Sequence, residues 1–138
     1  MGFIKSTNYA ANIIAMEKLR KEGYYEGIFK NRCGIVTEGT ISNLFFIKNS
    51  IIYTPSLSLN ILPGIVRTKI FEIAEKESIE VIEGEFDEEL ILNSDSIFIS
   101  NSLMKKGILW ANEIEGLKKE KHKILEIIEN EYEKMIKF

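Results

Sequence analysis

The sequence predicts an α+β fold, barrel-like, with a mixed but largely antiparallel sheet and about three principal helices. Three observations carry that expectation. Four strand-length runs rich in β-branched and aromatic residues, "EGIFKN", "GIVTEG", "SNLFFIKN" and "SIIYTP", follow one another between turn residues. Long stretches with apolar residues at helical spacing flank and follow them. The chain has 138 residues, 45% hydrophobic and 28% charged, which suits one domain with a real core.

In chain order, the first helix is expected to start at the Ser6-Thr7-Asn8 cluster, whose side chains can cap it. Tyr9, Ile13, Met16 and Leu19 form its stripe, and Gly23 ends it. The four strands come next, with "NRCG" and "KNS" as hairpin turns, giving a largely antiparallel meander. "LPGIVRTKIFEIAEKE" reads as the second helix, with Pro63 in its first turn and Val66, Ile70, Ile73 and Ala74 on one face. "IEVIEGEF" is a strand. "DEELILN" is a short helix capped by Asp87. "DSIFISNS" and "GILWANEI" are each a strand. The tail "LKKEKHKILEIIENEYEKMIKF" is an amphipathic helix with Ile124, Ile128, Tyr132 and Met135 as its stripe.

Composition excludes several classes. A net charge of -3 argues against a nucleic acid or an anionic membrane as the main partner. No apolar run approaches the roughly 20 residues of a membrane span. One cysteine, Cys33, allows no internal disulfide and points to a reducing, cytoplasmic compartment. Cys33 and the one histidine, His122, lie far apart in sequence, so neither a metal centre nor a Cys/His nucleophile is expected. Their ordinary readings are a small buried thiol and a solvated helix imidazole.

Four stretches carry chemistry. They are Lys5; "GIVTEGTISNLFF" with Glu38 and Asn43; "LPGIVR"; and "FISNSLM" with Asn101 and Ser102. Singly, each has a plain structural reading: a solvated lysine, a turn between strands, helix punctuation, a strand exit.

Together, in this order and spacing, they resemble the fold-type IV pyridoxal-phosphate enzymes, the class IV aminotransferase family. That family includes branched-chain aminotransferases, D-amino-acid aminotransferases and 4-amino-4-deoxychorismate lyases. The resemblance covers nearly all of residues 4–116. It implies pyridoxal 5'-phosphate as cofactor, an amino-acid-like substrate and a homodimer. Lys5 matches the lysine that bonds the cofactor aldehyde and then serves as base and acid at the substrate Cα. Glu38 matches the carboxylate at the pyridine nitrogen, where a protonated ring is the better electron sink. The start of the "LPGIVR" helix offers free N–H groups and a positive dipole end, and the family motif puts the N–H groups of Ile65 and Val66 on the phosphate. Many relatives have Thr where this chain has Val66; the hydroxyl is lost and the backbone donor kept. Asn101 and Ser102 match further phosphate-side contacts. Leu62 matches an apolar residue packed on the ring. Asn43 is expected to order the Glu38 loop, and Arg67 to be structural.

The cofactor supports transamination or elimination, so the fold does not choose between them. "NSLM" resembles the lyase more than the branched-chain enzymes, while the following "KKGILWANEIEG" departs from relatives. Lys105 and Lys106 could attract a dicarboxylate or be plain loop charges. Family members carry a smaller α/β domain before the lysine. The expectation is therefore a single C-terminal-type cofactor-binding domain, residues 1–138, with the N-terminal domain absent, weak cofactor binding and little turnover. A non-catalytic remnant that only self-associates is the alternative of another class.

Overall fold

A computed structural model describes residues 14, 16–39, 42–59, 61–102, 106–114 and 116–136. Lys5, the Ser6-Thr7-Asn8 cap, Tyr9 and Ile13 lie outside them. A helical stretch, residues 16–21, comes first. It closes as expected at Gly23: the Gly23 N–H donates to Arg20 O at 3.0 Å and the Tyr24 N–H to Leu19 O at 2.9 Å.

Four strands follow: β1 (Ile28–Lys30), β2 (Val36–Gly39), β3 (Asn43–Lys48) and β4 (Ile51–Pro55). After the 3-10 turn Leu57–Leu59 come α1 (Ile65–Lys76), β5 (Val81–Gly84), α2 (Glu88–Leu92), β6 (Ser96–Ser100) and β7 (Ile108–Ala111). The chain continues through β8 (Glu113–Ile114) and β9 (Leu117–Lys118) to α3 (Lys123–Ile136).

The main sheet runs β5-β4-β3-β6-β7. Its pairings are antiparallel except β4 with β5, which are parallel. That exception follows from α1: a helix between two neighbouring strands returns the chain in the same direction. The fold is thus the expected mixed, mostly antiparallel α+β type. Among the described residues the sheet stays open and no barrel closes. β1 and β2 form a separate antiparallel pair, as do β8 and β9. The β3–β4 hairpin turns at Asn49 and Ser50, both with positive φ (52° and 62°), as a two-residue turn matched to strand twist requires.

β3 and β6 are central, and their residues from Asn43 to Ile47 and from Ser96 to Ser100 are buried. Period-two alternation divides them between two cores. On one face Phe45, Ile47, Ile52 and Phe98 pack under Val66, Ile70 and Ile73 of α1 and Ile124, Leu125 and Ile128 of α3. Phe45 and Phe98 are cross-strand partners and stack, with centroids 4.8 Å apart. On the other face Leu44, Phe46, Ile97 and Ile99 meet Val36 and Ile91. The short helix α2 is capped by Asp87, which accepts the Leu90 N–H at 3.1 Å, as expected.

Several sequence expectations need correcting. Pro63 is not in the first turn of α1; Gly64 is the N-cap, because Leu62 is held outside the helix by two side chains, as described below. "GILWANEI" is two strands, β7 and β8. The tail helix starts at Lys123, not Leu117, because residues 117–118 pair with β8 and Lys119 is drawn aside to the carbonyls of Leu92 and Ser94, each at 2.6 Å. Met135, placed on the buried stripe, is 42% exposed; the stripe packs on the core through Ile124, Ile128 and Tyr132. His122 is not a solvated residue within that helix but its N-terminal cap: its Nδ1 accepts the Ile124 N–H at 3.0 Å. Cys33 is exposed, since it sits in the turn of the β1–β2 hairpin rather than on a strand face.

Candidate functional site

Glu38 is the third residue of β2 and Asn43 the first of β3. Both are buried, at 5% and 6% exposure. They converge on one residue, Leu62, of the segment leading into α1. Glu38 Oε1 accepts the Leu62 N–H at 3.3 Å, and Asn43 Nδ2 donates to Leu62 O at 2.9 Å. Residues 61–64 belong to no helix or strand, so these side chains satisfy backbone groups that no ladder provides for. Asn43 was expected to order the Glu38 loop. Instead it joins Glu38 in holding the "ILPGI" segment.

Burial pushes the Glu38 carboxyl above the ordinary glutamate range, and the Leu62 N–H offsets only part of this. Among the described residues no lysine, arginine or histidine forms an ion pair with it.

α1 starts beside this clasp. Gly64 caps it without any side-chain hydrogen bond, and no acidic residue lies in the first turn. The first main-chain bond of the helix runs from the Thr68 N–H to Gly64 O at 3.2 Å. The N–H groups of Ile65, Val66 and Arg67 therefore precede the first intrahelical donor and face the positive dipole end. Gly64 allows the close approach: a Cβ there would collide with Asn43 Oδ1.

Of the remaining sequence-predicted residues, Leu62 is half-buried beside the clasp. The Val66 side chain is in the core, which leaves only its N–H for binding, and the Ile65 side chain is 72% exposed. Asn101 and Ser102 follow Ser100, the Cα partner of Asn43 across the sheet, so the register brings them to the same end. Asn101 is half-buried, with its N–H on Gly107 O at 2.9 Å, and Ser102 is exposed. Arg67 is structural, as expected: its Nη2 donates to Pro55 O at 3.1 Å and Glu83 Oε2 at 2.7 Å, and its guanidinium lies 4.6 Å from the Phe71 ring centroid. Lys5 is outside the described residues.

Sequence reasoning missed three nearby groups. Glu26 Oε2 accepts the Ser42 hydroxyl at 2.8 Å. The buried Ser100 hydroxyl, across from Asn43, has no hydrogen-bond partner among the described residues. No local pattern marks these residues, because Glu26 and Ser42 lie 16 residues apart and the Ser100 hydroxyl meets no partner among the described residues. Among the described residues there is no cluster of three or more metal-ligating side chains, and no helix is long and apolar enough to cross a membrane.

Comparison with known proteins gives the chain's family. The family described as "Amino-transferase class IV" matches residues 3–108. The chain is 37% identical over 102 residues to the aminodeoxychorismate lyase of Bacillus subtilis, taking in 74% of this chain and 35% of that protein. It is 34% identical over 95 residues to the branched-chain-amino-acid aminotransferase of Escherichia coli K12, with 69% and 31% covered. A crystal structure from Legionella pneumophila, described as a candidate 4-amino-4-deoxychorismate lyase, superposes with a TM-score of 0.88 at 32% identity, over 94% of this chain and 48% of that one. The chain thus spans about a third of these curated relatives and about half of the solved relative.

Proposed function

The chain belongs to the class IV amino-transferase family, and from that premise we propose that it is the cofactor-binding part of a pyridoxal-phosphate-dependent 4-amino-4-deoxychorismate lyase, which eliminates pyruvate and leaves 4-aminobenzoate. The observation that carries this reading is the clasp of Glu38 and Asn43 on Leu62 beside the uncapped start of α1.

These residues fit the cofactor. A buried carboxylate without a cation partner among the described residues is costly; a protonated pyridine nitrogen supplies that partner. A helix start with no side-chain cap and no acidic residue in its first turn is suited to a phosphate. When bound, pyridoxal phosphate supplies an electron sink for the pair left at the substrate Cα.

The protein's own groups do the rest. Glu38 holds the proton on the ring nitrogen. Leu62 covers one face of the ring. The N–H groups of Ile65 and Val66 bind the phosphate, assisted by Asn101 and Ser102. The Lys5 amine would hold the cofactor at its aldehyde, with loss of water, and, once displaced by the substrate amine, would take the proton from the substrate Cα and pass it to the departing enolpyruvyl group. Pairing into a homodimer belongs to the same reading.

The lyase is preferred on the "NSLM" wording and the 37% match to the Bacillus subtilis enzyme. The 34% match to the Escherichia coli enzyme supports an aminotransferase as second reading. The test is a stoichiometric incubation of the chain with pyridoxal phosphate and 4-amino-4-deoxychorismate. The lyase gives 4-aminobenzoate and pyruvate with no amino acceptor present. An aminotransferase gives no 4-aminobenzoate and forms glutamate from a donor amino acid only with 2-oxoglutarate. A remnant that only self-associates gives neither, and that result overturns the proposal.

A further inference from the structure

Glu26 lies two residues before β1. The pairing of Ile28 with Gly39 runs its segment alongside the connection from β2 to β3. Its Oε2 accepts the Ser42 hydroxyl at 2.8 Å, and its Oε1 accepts the Gly27 N–H at 2.9 Å. Ser42 is buried, and its carbonyl accepts the Gly39 N–H at 2.8 Å, which closes the connection on itself. Gly39 makes the room. A Cβ there would run into Ser42 Oγ and stand 3.1 Å from the Glu26 carboxyl carbon and Oε2. At the two ends of this connection are Glu38 and Asn43, the residues that hold Leu62.

We propose that Glu26, acting through Ser42, is a positioning residue for Glu38 and Asn43, and so for the cofactor ring that Glu38 would hold. A charge-assisted hydroxyl–carboxylate bond is short and strong, and here its acceptor comes from outside the connection it fixes. A turn held only by its own backbone would leave Glu38 free to shift, and small displacements of a binding group are costly. The cofactor half of this inference rests on the reading above; the positioning half does not.

The test uses the whole chain with Ser42→Ala, Glu26→Gln and Glu26→Ala, and two readouts. The first is pyridoxal-phosphate affinity by fluorescence titration. Ser42→Ala and Glu26→Ala each weaken it about tenfold, a modest share of what a misplaced group can cost. Glu26→Gln keeps an oxygen for the Ser42 hydroxyl and stays within about threefold of wild type. The Ser42→Ala/Glu26→Ala double variant is no weaker than the weaker single, since both remove the same bond. The second readout is NMR titration of the Glu38 carboxyl in the cofactor-free chain. Ser42→Ala leaves every charge in place and moves the Glu38 midpoint down toward the ordinary range as water reaches it, while Glu26→Gln leaves it near wild type. If wild type does not bind pyridoxal phosphate, the cofactor reading falls and the titration alone decides the positioning. A midpoint moved by Glu26→Gln but not by Ser42→Ala makes Glu26 a local charge rather than a brace and overturns the inference. Affinity losses that multiply in the double variant do the same. Ser42→Ala, which removes one hydroxyl, serves both readouts where Glu26→Ala fails to fold.

Discussion

Gly64→Ala probes how tightly the start of α1 is fitted to the sheet. The added methyl would fall on Asn43 Oδ1, with Asn43 Cγ at 3.6 Å and Arg67 Cβ at 3.9 Å. Asn43 is buried, and its Nδ2 donates to Leu62 O at 2.9 Å. It can yield only by loosening that bond, worth about 1 kcal/mol, and leaving a buried polar group less well paired, worth about 1–3 kcal/mol. Two local effects of the substitution roughly offset each other: alanine is the poorer N-cap, by about 0.5–1 kcal/mol, and it restricts the unfolded chain by a similar amount. The net expectation is about 2–3 kcal/mol, or roughly 6–12 °C in Tm for a domain of this size. In an Asn43→Ala background there is no Oδ1 to strike, so Gly64→Ala becomes nearly neutral there. The cycle, read by thermal and urea unfolding of all four proteins, should give a coupling of about 2–3 kcal/mol. Costs that simply add, within about 0.5 kcal/mol, would refute the fitted contact between helix start and strand.

Glu38→Gln keeps an acceptor for the Leu62 N–H and removes the buried charge. A carboxyl whose folded pKa is raised favours the fold while protonated, and that contribution is lost as pH rises from the ordinary glutamate value through the raised one. The variant should therefore melt higher than wild type at pH about 7 and lose that advantage below about pH 4; scanning calorimetry of the cofactor-free chain checks it, and an advantage equal at both pH values would contradict it. Arg67→Ala removes the donor to Pro55 O and Glu83 and the cation over Phe71. It should cost about 2–4 kcal/mol in urea unfolding, and Arg67→Lys should recover little of it, because an ammonium reproduces neither the fork nor the stacking. His122→Ala should cost about 1 kcal/mol by stripping the cap of α3, while His122→Asn restores most of it; equal Tm values for the two variants would dismiss the cap.

Local patterns made much of the fold legible. The runs that became β1 to β6 read correctly because each is short, apolar and bounded by turn residues. The Asp87 cap and the Val66, Ile70, Ile73 and Ala74 face of α1 follow from spacing alone. What escaped was set by partners far away in sequence. Pro63 reads as a first-turn residue until Glu38 and Asn43 are seen to hold Leu62 outside the helix, across separations of 24 and 19 residues. The charged run after Leu117 has a helical pattern, but pairing with β8 and the reach of Lys119 to Leu92 and Ser94 break it. Of the site, Glu38, Asn43, Leu62 and the start of α1 were legible through the order of their motifs. Glu26 and Ser42 were not, because a carboxylate before one strand and a serine before another carry no shared local signal.

The central claim is that the buried Glu38, the Leu62 clasp and the α1 start serve a pyridoxal-phosphate site whose reactive amine is Lys5. The most direct measurement is borohydride reduction of the chain after incubation with pyridoxal phosphate, followed by peptide mass mapping. A pyridoxyl group concentrated on Lys5, and diminished on that residue in Glu38→Ala, is the predicted result. Label spread evenly over the surface lysines, with Lys5 no richer than the rest, would contradict it.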